Sequence, residues 1–111
     1  MRGPELFRWA VRCMGSAALE ALARAKLTPD DVDLVVPHQA NLRIIKAVAE
    51  KLEFPLEKVF VNVDGYGNTS AASVPIALDE AVRSGRLRAG SVVLMVACGG
   101  GLTWAGAVAR W

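Results

Sequence analysis

Val32-Asp33-Leu34-Val35-Val36-Pro37-His38-Gln39-Ala40-Asn41-Leu42-Arg43-Ile44-Ile45 is the stretch that decides the fold. Val32 to Val36 is a short apolar, β-branched run closed by Pro37, the pattern of a buried strand that ends where proline removes the next ladder donor. From Ala40 to Leu52 the period changes. Leu42, Ile45, Val48, Ala49 and Leu52 recur at helical spacing, with Arg43, Lys46 and Glu50 on the opposite side. A strand that hands over directly to an amphipathic helix is the beginning of a β-α-β unit, and His38 falls just beyond that strand's C-terminal end.

Working outward, Glu5 to Ala25 carries Leu6, Trp9, Ala10, Cys13, Ala17 and Leu19 near helical spacing with no internal proline, which predicts a long first helix. Thr28-Pro29-Asp30-Asp31 interrupts it. Downstream, Val59 to Val63 reads as the next strand, residues 64–70 supply turn-forming side chains, and Ala71 to Arg83 reads as a helix with Pro75 near its start. Val92 to Ala97 is a further apolar strand, Cys98 to Gly101 a turn, and Leu102 to Arg110 a last strand that returns antiparallel. Strands alternating with helices predict an α/β fold: helices layered on a mixed, mostly parallel sheet with an antiparallel C-terminal edge strand.

At 111 residues the chain fits a single domain. Its 53% hydrophobic and 22% charged composition supplies more apolar surface than a small monomer needs, which points to a covered partner surface. The net charge of +2 is spread over interleaved acids and bases and calls for no nucleic acid. Arg2, Arg8 and Arg12 on the first helix, and Arg83, Arg86 and Arg88 near a loop, read either as a solvated rim or as an attraction for an acidic partner. Cys13 and Cys98 make no disulfide framework and no signal peptide precedes them, so a cytoplasmic location is expected. The longest apolar runs, such as Ser91 to Cys98, fall far short of the roughly 20 residues that span a bilayer, so no membrane is expected.

His38, Asn68 and Cys98 recur thirty residues apart, about one strand-helix unit, and a single α/β layer brings all three to the edge where strands end and ligands collect. Each has a plainer reading: a lone histidine as a structural hydrogen-bonder, Asn68 as a turn or cap residue, Cys98 as a small buried side chain. Together they also fit thiol chemistry, with His38 as base and Asn68 orienting it. One histidine and two distant cysteines lack the paired spacing of a zinc site, and neither glycine run continues into a phosphate-loop Gly-Lys-Ser/Thr, so no metal or nucleotide is expected.

Three strings narrow the choice. Pro37-His38-Gln39-Ala40-Asn41-Leu42-Arg43-Ile44-Ile45, Tyr66-Gly67-Asn68-Thr69-Ser70-Ala71-Ala72-Ser73 and Gly99-Gly100-Gly101-Leu102-Thr103-Trp104, in this order, resemble the C-terminal half of the ketoacyl-acyl carrier protein synthase III family. The resemblance runs across residues 1–111 and implies one half of a thiolase-like fold, without the central strand that begins that half and without the other half, which holds the nucleophilic cysteine. It implies decarboxylative condensation of an acyl group from acyl-CoA with malonyl-acyl carrier protein, with no resident cofactor. His38 and Asn68 would then be catalytic hydrogen-bond donors, and the Gly100 backbone N–H an oxyanion contact. Gly3, Phe7 and Asn41 would face coenzyme A, and Arg8, Arg43, Lys46 and Lys51 would receive acyl carrier protein. The resemblance makes the missing half, or a second copy of this chain in a homo-oligomer, the expected partner; the alternative is a noncatalytic or engineered half-domain that folds by self-association. Cys98 stands where the family often has phenylalanine, and Pro4 where it often has a polar residue.

Overall fold

Two strands that share one register carry the architecture. The computed structural model describes residues 3–38, 42–62, 73–99 and 103–111. Strand β1 (Leu34–Pro37) pairs in parallel with β2 (Val92–Gly99), Leu34 opposite Val93 and Pro37 opposite Val96. β2 in turn pairs antiparallel with β3 (Thr103–Arg110), from Val92 opposite Arg110 to Gly99 opposite Thr103. The order β1-β2-β3 places β2 at the centre of a mixed sheet.

Because side chains alternate across a strand, this register sorts the core into two layers. Val35, Leu94, Val96 and Val108 fall on one face, against helices α1 (Gly3–Arg24) and α2 (Leu42–Lys51). Leu34, Val36, Val93, Met95 and Ala109 fall on the other, with Ala77 and Ala81 of helix α3 (Ser73–Arg83). Every residue of β1 is buried, as expected of a parallel strand covered on both sides. α1 contributes Ala10, Met14, Ala18 and Leu22 to its layer, a stripe at four-residue spacing, and α2 contributes Ile44, Ile45, Val48 and Ala49.

The contact between α1 and β3 is set by a missing side chain. A Cβ built on Gly106 would stand 2.5 Å from the backbone oxygen of Ala17, so the helix and strand approach as closely as glycine alone allows.

Several expectations need correction. Leu19, read as part of the apolar stripe of the first helix, is 52% exposed; Met14 takes the core position instead. The strand expected at Val59 to Val63 is a single parallel bridge, Val35 to Val59, among the described residues. The 3-10 turn Leu56–Lys58 leads directly into the bridge, with Val59 N–H donating back to Leu56 O at 3.0 Å and Phe60 N–H donating to Val35 O at 2.9 Å. Cys98 and Gly99, expected in a turn, lie within β2 because the antiparallel register runs on to Thr103. Nor is the sheet split by a missing central strand, since β1 and β2 bond directly. The open side lies along β3, where Trp104, Ala105, Gly106 and Ala107 are exposed.

The three α-helices among the described residues end alike. Leu27 N–H reaches back to Leu22 O, Phe54 N–H to Ala49 O and Arg86 N–H to Ala81 O, at 2.9–3.0 Å, over a residue with positive φ: Lys26 and Glu53 at 58° and Gly85 at 78°. This is the left-handed helix stop that glycine adopts without steric cost and other L-residues adopt against it. Replacing Lys26 or Glu53 by glycine is expected to raise stability by about 0.5–1 kcal/mol each, after allowing for glycine's larger chain entropy. Urea unfolding of the two variants checks this, and a loss of stability in both would contradict the strain argument.

Candidate active-site edge

Pro37 closes β1, and the next residue is held by its backbone: His38 N–H donates to Val96 O at 2.7 Å, extending the parallel ladder one step past the strand. The His38 ring is half-buried, and that burial lowers its pKa below the ordinary 6.5, because the charged imidazolium loses hydration the neutral ring does not need. A neutral imidazole has one N–H donor and one bare nitrogen, so near neutral pH His38 can offer a hydrogen bond without carrying charge. Cys98 lies two residues beyond Val96 in β2, opposite Trp104, so both residues occupy the C-terminal edge of the two parallel strands. Asn41, Asn68 and Gly100 lie outside the described residues.

A second group forms where α1 and α2 run side by side. Phe7, partly buried, packs against the core, and the Arg43 guanidinium lies over its ring, 5.4 Å from the centroid. Gly3 opens the same helix, α1. Lys51, the last residue of α2, lays its methylene stem across Gly15: a Cβ there would stand 3.1 Å from Lys51 Cδ and 3.2 Å from Cε. Arg8 on α1 and Arg43, Lys46 and Lys51 on α2 are all exposed. Gly15 was not singled out in the sequence; its only signal there is a glycine inside a helical pattern.

The other arginine group has a different use. Arg83 pairs with Asp79 at 3.0 Å. Arg86 donates to Glu57 O at 2.6 Å and covers the Phe60 ring at 5.3 Å, and Arg88 Nε donates to Gly85 O at 2.9 Å. Arg86 thus ties the end of α3 to the segment around Val59, while Arg83 and Arg88 bond locally. Among the described residues, no helix is long and apolar enough to cross a membrane.

Residues 22–111 match the family model for the C-terminal part of 3-oxoacyl-acyl-carrier-protein synthase III. The chain belongs to this family. Over all 111 residues it is 65% identical to the beta-ketoacyl-acyl-carrier-protein synthase III of a Roseiflexus species and 56% identical to that of Aquifex aeolicus. Those stretches are 34% and 36% of the relatives' lengths, so the chain spans about a third of the proteins it matches. Two solved structures agree over the full chain: the Aquifex aeolicus synthase III, with a TM-score of 0.97, and that of Thermus thermophilus, with a TM-score of 0.96 at 60% identity, of which the chain covers 36% and 35%. The α/β architecture is thus the thiolase-like C-terminal half of synthase III.

The burial of His38 has a measurable consequence. Its folded-state pKa lies below 6.5, so between the two midpoints the unfolded chain binds more protons than the folded one. Stability is therefore expected to be intact above pH 6.5, to fall as pH drops through the folded midpoint, and to keep that penalty below it. As the chain has one histidine, imidazole NMR gives its midpoint unambiguously, and His38→Gln should remove this part of the pH slope. A folded midpoint at or above 6.5 would refute the burial argument.

Proposed function

We propose that this chain is the C-terminal catalytic half of a β-ketoacyl-acyl carrier protein synthase III, joining an acyl group delivered by acyl-CoA to a malonyl unit on acyl carrier protein. The observation that carries the reading is His38: a half-buried imidazole whose pKa is lowered by burial, with its backbone held at the C-terminal edge of the parallel strands β1 and β2, in a chain of this family. The acyl group rests as a thioester on a cysteine contributed by the other half of the enzyme. His38 and Asn68 donate hydrogen bonds to the malonyl thioester oxygen. The bond to the malonyl carboxylate breaks, carbon dioxide leaves, and the electron pair passes into the enolate whose oxygen those donors stabilise. The enolate carbon attacks the acyl thioester, a carbon-carbon bond forms, and the cysteine leaves as thiolate. The N–H of Gly100, with that of the cysteine, stabilises the oxyanion of this second step.

Gly3, Phe7 and Asn41 line the passage for the pantetheine arm. Arg8, Arg43, Lys46 and Lys51 receive the acidic carrier, an attraction that salt weakens. The chemistry needs no resident cofactor and belongs in the cytoplasm. The exposed strand β3 and the apolar composition support a cover supplied by the rest of the synthase or by a second copy in a homo-oligomer. The alternative of Cys98 as an independent nucleophile is not favoured: Cys98 lies within β2, paired with Trp104 of β3, rather than on the turn expected to present it.

In a full-length synthase carrying this sequence, His38→Ala and Asn68→Ala are each expected to slow decarboxylation of malonyl-acyl carrier protein by on the order of a hundredfold or more. Carbon dioxide release measures it; near-normal rates in both variants would remove the assignment. Arg43→Glu is expected to raise the KM for the carrier substrate at low salt, with the difference shrinking as salt is added. An unchanged KM at low salt would remove the docking surface.

A further inference from the structure

Arg43 and Lys51 stand eight residues apart on α2, and the two α1 residues beneath them, Phe7 and Gly15, are also eight residues apart. Each α1 residue does a different thing to its cation. The Phe7 ring presents its electron-rich face to the Arg43 guanidinium at 5.4 Å, and its partly buried place in the core fixes that face. Gly15 removes a side chain where the Lys51 stem crosses the helix, and a methyl group there would press on Cδ and Cε at 3.1 and 3.2 Å. A buried mid-helix glycine is unfavourable for the helix by itself, so its place under Lys51 calls for a reason that lies outside α1.

We propose that α1 seats the two cations of α2, with Phe7 and Gly15 as positioning residues that hold Arg43 and Lys51 about 12 Å apart for an acidic helix bearing carboxylates two turns apart. The inference rests on the docking reading above. Long basic side chains on a surface ordinarily lose rotamer freedom when a partner binds; seating them beforehand lowers that loss and fixes the spacing to be matched.

The test is a pair of double-mutant cycles in the full-length synthase, read as KM for malonyl-acyl carrier protein at low salt. Arg43→Ala and Lys51→Ala first test docking itself: unchanged KM in both means the docking reading fails and the seating inference falls with it. If they raise KM, Phe7→Leu and Gly15→Ala are each expected to raise it about two- to fivefold when the cation is present, and Phe7→Trp, which keeps an aromatic face, to restore most of the loss. Phe7→Leu should raise KM by a smaller factor in the Arg43→Ala background than with Arg43 present, and Gly15→Ala should add little to Lys51→Ala. Any effect of Phe7 on the pantetheine passage persists without Arg43, so it cancels within the cycle. Equal effects of the α1 substitutions with and without their cations would overturn the seating inference while leaving the docking surface in place.

Discussion

The parallel pairing of β1 with β2 is the constraint on which the remaining structure depends. It is clasped at both ends. At the start, Asp33 N–H donates to Val92 O at 2.9 Å while Val92 N–H donates to an Asp33 carboxylate oxygen at 2.8 Å; at the finish, His38 N–H donates to Val96 O. A slip of one residue would exchange the two faces and turn Val35 and Leu94 away from α1 and α2. The same register fixes where the histidine backbone emerges, so the core and the candidate catalytic group are set by one set of hydrogen bonds.

Charge is used in two ways on this surface. Arg86 satisfies a backbone carbonyl and covers Phe60, a fastening between segments that are distant in sequence. Arg43 also lies over an aromatic ring, yet it stays on an exposed helix face beside Lys46 and Lys51. Both arginines have nearly the same local geometry, and only the surroundings distinguish a clamp from a contact surface. Counting basic residues in the sequence could group them but not separate them.

What was legible in the sequence followed from periodicity. The change of period around Pro37 placed β1, α2 and His38, and long apolar spacing placed α1. What was hidden depended on hydrogen bonds between residues with no distinctive side chain. Lys26 and Glu53 carry no turn signal, yet both adopt the left-handed conformation that their neighbours' backward hydrogen bonds impose. Val59 looks like the start of a strand, yet it follows directly on a 3-10 turn and makes only one bridge to β1 among the described residues. Leu19 has helical spacing and apolar character, and only the position of the sheet decides that Met14 is buried in its stead. For the site, the motif residues His38 and Asn68 were named from sequence, whereas Gly15 matters through the lysine that crosses it, a relation between two helices that one helical pattern does not contain.

The separation of the clasped partners also shapes how the chain can reach its native state. Asp33 and Val92 are 59 residues apart, while Gly99 and Thr103 pair across only residues 100–102. Closing the long loop loses far more chain entropy than closing the short one, so the hairpin of β2 and β3 can form early and locally. Docking of β1 onto it is then expected to follow, because it closes the longer loop. Until then the edge of β2 that will hold the histidine strand is bare, which makes the nascent sheet most vulnerable to wrong pairing on the side where its chemistry will later be assembled.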